Sequence, residues 1–527
     1  MKTLVSSLIC VIWTMAVAAA QSPSPATGNF RIMGVVVHSL TGQPLPGIQM
    51  SILRAQTPDV LQTVVAADRG RFAFPVSDPG KYVLVAQGRG FPRQAWDEHN
   101  GFSTAVVVGP GKDSENIVFR VRPEASVSGT VTDEANEPVR EAQVMLFHRG
   151  VEEGNDEIHL RTQTSTDDQG HYRFAHLFSG TFFIVVSAQP WYAHTSPTGP
   201  ETDPLNVTYP LTYFSGSTEA GGATPISVKP GDKITADLSL TAVQAIRLEV
   251  TRLMRPNSGS APNATRKVFG SYSVSASNQY ESGADGRTFM TGLAPGEVEI
   301  SGSDSKNPRN SWRETLNVAA GVKLKAPSDH SAIAVGGKLI LNQPKAGSAV
   351  IILSGRSSHE RFQALVNPDG SFQFSGPYMP PDTYQVAIFY RPGSVLASIA
   401  ATGAKVDGRT IEVAPGADVQ LTVVMSRGAS RIDGTVLREG KPVAGAMIVL
   451  LPHDWLNNQS LIRRDQSDSD GTFTLPQIPP GRYTALALQN GWDIDWQNAA
   501  VLKPYLPHAQ IVLVSPDQRY EMKINTQ

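Results

Sequence analysis

An acid, a glycine and then aromatic or apolar residues at alternating positions form a short pattern that returns about every hundred residues along this 527-residue chain. It reads Asp68-Arg69-Gly70-Arg71-Phe72-Ala73-Phe74, then Asp168-Gln169-Gly170-His171-Tyr172-Arg173-Phe174. A weaker copy is Asp285-Gly286-Arg287-Thr288-Phe289-Met290. Asp369-Gly370-Ser371-Phe372-Gln373-Phe374 and Asp470-Gly471-Thr472-Phe473-Thr474-Leu475 complete the series. Ten residues after four of those glycines comes a second turn: Pro79-Gly80, Ser179-Gly180, Pro295-Gly296 and Pro480-Gly481. The fourth copy uses Pro381-Asp382 instead. The repeats fill the chain, so little room remains for a separate catalytic domain.

Each unit opens with β-branched residues alternating around a central glycine, as in Ile32-Met33-Gly34-Val35-Val36-Val37, Val127-Ser128-Gly129-Thr130-Val131 and Ile432-Asp433-Gly434-Thr435-Val436. A Pro-containing turn follows, such as Glu137-Pro138-Val139, Gln343-Pro344-Lys345 or Gly440-Lys441-Pro442. Helical periodicity is nearly absent, and turn signals recur about every 8–12 residues. The expected fold is all-β: about five tandem antiparallel immunoglobulin-like or transthyretin-like sandwiches after a signal peptide, with under about a tenth helix. The expected divisions are 1–20 (signal), 21–120, 121–240 (with a long loop insertion), 241–325 (divergent), 326–426 and 427–527. In the divergent unit, Pro256 to Lys267 reads as a flexible insertion. The links between units are short, which predicts a semi-rigid rod. The turn glycines should need positive φ, and the neighbouring Asp, Asp168 or Asp470, should hydrogen-bond its own backbone.

The N-terminus carries Lys2, an apolar run from Leu4 to Val17 and the small residues Ala18-Ala19-Ala20. This is the layout of a secretory signal cleaved before Gln21. Cys10 is the only cysteine and lies inside that signal, so the mature chain would have none. Export without disulfides fits a bacterial envelope protein, either secreted or periplasmic/outer-membrane associated. No later segment is long and apolar enough to span a membrane. A formal charge of −2, without a basic stripe, points away from nucleic acid.

Gly129, Val131, Pro138, Asp168, Gly170, Tyr172 and Phe174 set a pattern in the second unit. Gly434, Val436, Pro442, Gly445, Asp470, Gly471, Phe473, Pro480, Gly481 and Tyr483 repeat it in the fifth. This pattern resembles the carboxypeptidase regulatory-like domain, a transthyretin-like sandwich related to Cna B-type repeats. The first and fourth units match less well, and the third is marginal. The resemblance implies a non-catalytic β-domain of the kind found in tandem in bacterial envelope proteins.

Catalytic patterns are missing. His359-Glu360 begins a zinc-protease motif, but Gln363 stands where its second histidine belongs, and no nucleophile elbow occurs. His148, His159, His171 and His176 share one unit and read as strand and loop residues, with a metal site as the alternative. The acids at Asp167-Asp168 and from Asp465 to Asp470 read as turn chemistry, with calcium as the alternative. No cofactor and no metal are expected. An internal Lys–Asn isopeptide bond lacks an evident residue trio.

Tryptophan is the remaining candidate. Trp96, Trp191, Trp312, Trp492 and Trp496 fall 11–16 residues after the second turn of their units, in the loop that follows the next strand. Such rings can stack on sugars, or else plug the sandwich ends. The reading is therefore an exported, non-catalytic protein acting in adhesion, scaffolding or protein interaction. The alternative is a carbohydrate-binding protein using these loops. The expected partner is a protein or polysaccharide of the cell envelope.

Overall fold

The computed structural model describes residues 30–527 apart from 56, 58, 113, 153–154, 195–202, 252–261, 271, 278, 303–311, 320–332, 342–348, 359, 375–378, 391–392, 457 and 497. The expected signal and its cleavage site lie outside the described residues, as do His359 and the turn at Pro344. Strands make up 58% and helix 5%, within the limit set by the sequence.

Among the described residues, five of the hydrophobic clusters follow one another along the chain, within 32–121, 125–240, 248–318, 333–425 and 432–524. Each is enclosed by two sheets. In the first, the opening strand Phe30–His38 pairs antiparallel with Arg71–Val76 and parallel with the closing strand Ile117–Val121. The facing sheet runs Val60–Val65, Gln49–Arg54, Gly80–Gly88 and Phe91–Ala95. The second, fourth and fifth cores repeat this plan around Ala125–Thr132, Ala334–Leu341 and Ser430–Arg438. In each, the opening strand has at least one antiparallel and at least one parallel partner.

The sheets are antiparallel as expected except for these parallel pairs. The chain leaves the facing sheet, crosses the end of the sandwich and enters the first sheet beside the opening strand, running the same way. The third core lacks such a pair among the described residues: Ile246–Glu249 pairs with Thr288–Leu293, which pairs with Gln279–Ser282. The expected insertion ending at Lys267 is in part the regular strand Asn263–Val268.

The recurring residues have distinct structural roles. A Cβ on Gly34, Gly129 or Gly337 would overlap the carbonyl oxygen of Ile117, Ala236 or Leu421, so these glycines admit the closing segment. The turn glycines have φ between 68° and 85°, at Gly70, Gly170, Gly286, Gly370 and Gly471. Their carbonyls also tie the hairpin to the opening strand: Val131 N donates to Gly170 O at 2.9 Å and Val436 N to Gly471 O at 2.8 Å. Behind them, Phe74, Phe174 and Leu475 are buried in their cores.

Tyr82, Tyr384 and Tyr483 are fully buried except for a hydroxyl that donates to a carbonyl four residues upstream, on Asp78, Pro380 and Pro479. Each hydrogen bond fixes the corner leading into its strand. In the second unit the turn acceptor is Asp167 rather than Asp168. Asp167 Oδ1 accepts from Gln169 N at 3.0 Å and His171 N at 2.8 Å. The glycine is preceded by two acids there, and the one further from it faces the turn. Asp470 does act as expected, accepting from Thr472 N at 3.1 Å.

The rod expectation does not hold. At the first junction Glu124 N donates to Gly90 O of the first unit at 2.9 Å, and its carboxylate pairs with His176 of the second. At the second, the outer sheet face of Met145, Phe147, Phe183 and Val185 is covered by Val268 and Val274. Arg313 reaches Glu360 at 2.6 Å at the third. Gly393 N donates to Gln477 Oε1 at 2.6 Å at the fourth. The fifth unit then docks on the first, with Lys112 Nζ 2.6 Å from Asp470 Oδ2. The five cores therefore form a closed ring.

Gly170 and Gly286 separate two costs. Both have positive φ, but a Cβ on Gly170 would lie 2.5 Å from Val131 O, whereas one on Gly286 meets nothing within 4 Å. Gly286→Ala should lose about 1 kcal/mol through backbone strain, and Gly170→Ala about 3 kcal/mol or more. Equilibrium urea unfolding checks this, and equal losses would refute the packing role.

Candidate functional site

The five candidate tryptophans lie in different surroundings. Trp96 is half-buried against the first core, and its Nε1 donates to Val118 O at 3.2 Å. Trp312 opens a strand rather than a loop and packs on the third core. Trp492 and Trp496 are only 5% and 3% exposed. They cover the outer sheet face of the fifth unit with Met447, Val449, Leu486 and Leu502. Trp191, by contrast, is 77% exposed. Placing a Trp after this strand therefore served several packing jobs, and spacing alone did not tell them apart.

The chemistry-bearing side chains concentrate where the first and fifth units meet. His99 stacks on Trp492 with ring centres 5.6 Å apart and planes 9° from parallel. Phe102 packs on the same indole at 5.4 Å. Arg464 lies over both Phe102 and Trp496, at 5.2 and 4.8 Å, a cation–π bridge between the units.

Beside these rings the Asp465–Asp470 segment docks on residues 97–112. Ser469 N donates to Ala105 O at 2.9 Å, and Val107 N to Ser469 Oγ at 2.9 Å. Ala105 N donates to Asp468 Oδ1 at 3.1 Å, and Gln466 Nε2 to Thr104 Oγ1 at 2.8 Å. Lys81 pairs with Asp468. Gln466, Ser467 and Thr104 are almost wholly buried, so their polar groups depend on one another for satisfaction.

Burial dominates the electrostatics of this segment. It pushes the Asp465 carboxyl up to about 6, with the Asp468 charge adding to it and the N–H groups of Thr474 and Gln466 opposing. Burial also raises Asp468, against the pull of Lys81. At Asp470, burial is outweighed by the bonds from Lys112 and Thr472, and its carboxyl is held below the ordinary value. Asp468 and Asp470 thus each hold an ammonium group, of Lys81 and of Lys112.

Reading the sequence missed Lys81, Thr104, Lys112 and Gln466. The available signal was the density of acids in Asp465-Gln466-Ser467-Asp468-Ser469-Asp470. Asp470 accepts from Thr472 N in the turn itself, while the Asp468 carboxylate also reaches across to Ala105 N and Lys81 of the first unit.

The histidines of the second unit do not converge. His148 and His159 oppose each other on adjacent strands, with His148 against Phe182 at 4.9 Å. His171 faces Asp167 at 3.6 Å, and His176 faces Glu124. Among the described residues no three His, Cys, Asp or Glu side chains are placed to hold a metal ion.

Two outcomes test this contact. Lys81→Ala leaves the Asp468 carboxylate buried without its cation, whereas Lys112 is the more exposed cation. The first change should cost about 3 kcal/mol and open the ring, and the second under about 1 kcal/mol. Small-angle scattering reads opening as a larger radius of gyration.

The second outcome concerns pH. The Asp465 carboxyl binds its proton more tightly folded than unfolded, with a folded value of about 6 against 3.8. Its burial penalty is full above pH 6 and relieved as pH falls toward 4. Stability should therefore rise by about 1 kcal/mol between pH 7 and pH 5, toward a total of about 3 kcal/mol near pH 4. Urea titrations across that range should show the rise in the wild-type chain and a smaller one in Asp465→Ala.

Residues 126–241 match the model of the carboxypeptidase regulatory-like domain. No curated protein matches the chain. Among solved structures, the TIE protein of Bacillus anthracis is similar at 9% identity, covering 93% of this chain and 72% of that one, with a TM-score of 0.18. The minor pilin GBS52 of Streptococcus agalactiae is 14% identical, over 40% of this chain and 96% of its own, with a TM-score of 0.19. A streptococcal ancillary pilin is 12% identical, over 56% and 98%, with a TM-score of 0.20. At such scores these likenesses do not bear on what the chain does. The family match spans the second of the five cores, with its opening glycine, its Pro-containing turn and its parallel closing strand. The chain therefore carries a carboxypeptidase regulatory-like domain at residues 126–241.

Proposed function

We propose that this chain is an exported, non-catalytic binding and structural protein of a bacterial envelope, acting in adhesion, scaffolding or protein interaction. It consists of five sandwich units divided near residues 121, 241, 326 and 427. One observation carries the reading. The ionisable groups that elsewhere would suggest chemistry are used to join units, as at Lys81–Asp468, Lys112–Asp470 and Arg313–Glu360.

The Lys2 start, apolar run and Ala18-Ala19-Ala20 site support export. Among the described residues no helix is long and apolar enough to cross a membrane. A second reading, carbohydrate binding, is favoured by the exposure of Trp191.

Fractionation of the producing cell, combined with N-terminal sequencing, tests the first reading. The protein should appear in the envelope or medium beginning at Gln21, and purified chain should sediment with isolated envelopes. Cytoplasmic protein still beginning at Met1 would refute export. Failure to sediment would refute the binding role.

A further inference from the structure

We propose that Trp191, Tyr192 and Glu134 form a carbohydrate site for a neutral pyranose, whose C–H face lies on the indole while a hydroxyl donates to the Glu134 carboxylate. This inference deepens the carbohydrate reading and rests on it.

The indole of Trp191 differs in exposure from the other candidate tryptophans, which are buried or half-buried. A ring 77% exposed contributes little to its own core. Yet its position is fixed. Ala193 N donates to Pro190 O at 3.1 Å, and His194 N to Leu205 O at 2.8 Å, so both sides of the turn are tied down. The Tyr192 and Trp191 rings meet edge-to-face at 5.8 Å and 88°, a contact that braces the indole while it remains 77% exposed. Leu205, itself exposed, borders the same turn.

Beside the ring stands a held acceptor. The Tyr192 hydroxyl donates to Glu134 Oε1, and the buried Tyr209 hydroxyl hydrogen-bonds that of Tyr192 in turn. The Glu134 carboxylate and the hydrogen bond it accepts push Tyr192 up to about 12, so its proton stays in place at any physiological pH. The loop bearing Glu134 is fixed from within, because Asp133 Oδ1 accepts from Ala135 N at 2.9 Å and Glu137 N at 2.8 Å. A flat apolar ring next to a pre-oriented carboxylate suits a ligand with one apolar face and hydroxyl donors at its rim.

That description fits a pyranose with axial C–H bonds on one side. The carboxylate selects against sugar acids, whose like charge it repels. The site is on the surface, which suits a unit of an extended glycan rather than an enclosed free sugar.

Calorimetric titration of the full mature chain tests the site. The probes are cellohexaose, maltohexaose, galactohexaose and mannohexaose, with trigalacturonate as the anionic comparison. At least one neutral probe should bind with a sub-millimolar Kd. Trp191→Ala should weaken it about tenfold or more, and Glu134→Gln and Tyr192→Phe each about threefold. Trp96→Phe should leave it unchanged.

Retention of neutral-glycan affinity in Trp191→Ala would overturn this site while leaving carbohydrate binding intact. Absence of binding to every probe by the wild-type chain would overturn both. Trigalacturonate binding as tight as the best neutral probe would overturn the assigned ligand class.

Discussion

A glycine without a Cβ lets a closing segment lie against the opening strand of its own unit. At Gly34, Gly129 and Gly337 a carbonyl oxygen occupies the space a methyl group would need. With that approach allowed, the closing strand completes the first sheet in parallel register. Parallel neighbours run the same way, so the chain enters a unit at one end and leaves at the other. Successive units can then follow with links as short as Val121 to Ala125 or Arg427 to Ser430. The rest of the architecture depends on this end-to-end passage.

Much of the single-unit fold was legible because it is written in local patterns. Alternation places Phe74, Phe174 and Leu475 inside, and the turn glycines have the positive φ their positions require. The buried tyrosines follow the second turn at a fixed distance and find a carbonyl within the same corner. The reading failed where two local choices look alike in sequence. Asp167 and Asp168 are equally suited to hold a turn, and only the backbone geometry decides that Asp167 accepts. The same holds for tryptophan. Trp492 and Trp191 have equal spacing from their turns, but the first has a sheet face and the His99 ring to cover and the second does not.

The closing contact was not legible, because it depends on the orientation of two units far apart in sequence. No periodicity links Thr104 to Gln466 or Lys81 to Asp468. The entropy of closing a loop grows only with the logarithm of its length, so a contact across the whole chain costs little more than one across half of it. A mixed surface can meet that cost. Here stacked rings, backbone hydrogen bonds and two ion pairs are combined.

The contact between the first and fifth units joins two different surfaces, so it is heterologous. Within one chain it is satisfied at the high effective concentration imposed by the four intervening links. In a chain held open, each end would carry one half of the same contact and could engage the opposite half on another molecule. Repeated, that exchange has no symmetry to stop it and yields linear head-to-tail assemblies, whereas closure within the chain ends it at one copy. The strength of that single intramolecular joint therefore sets the balance between closure within one chain and exchange between chains.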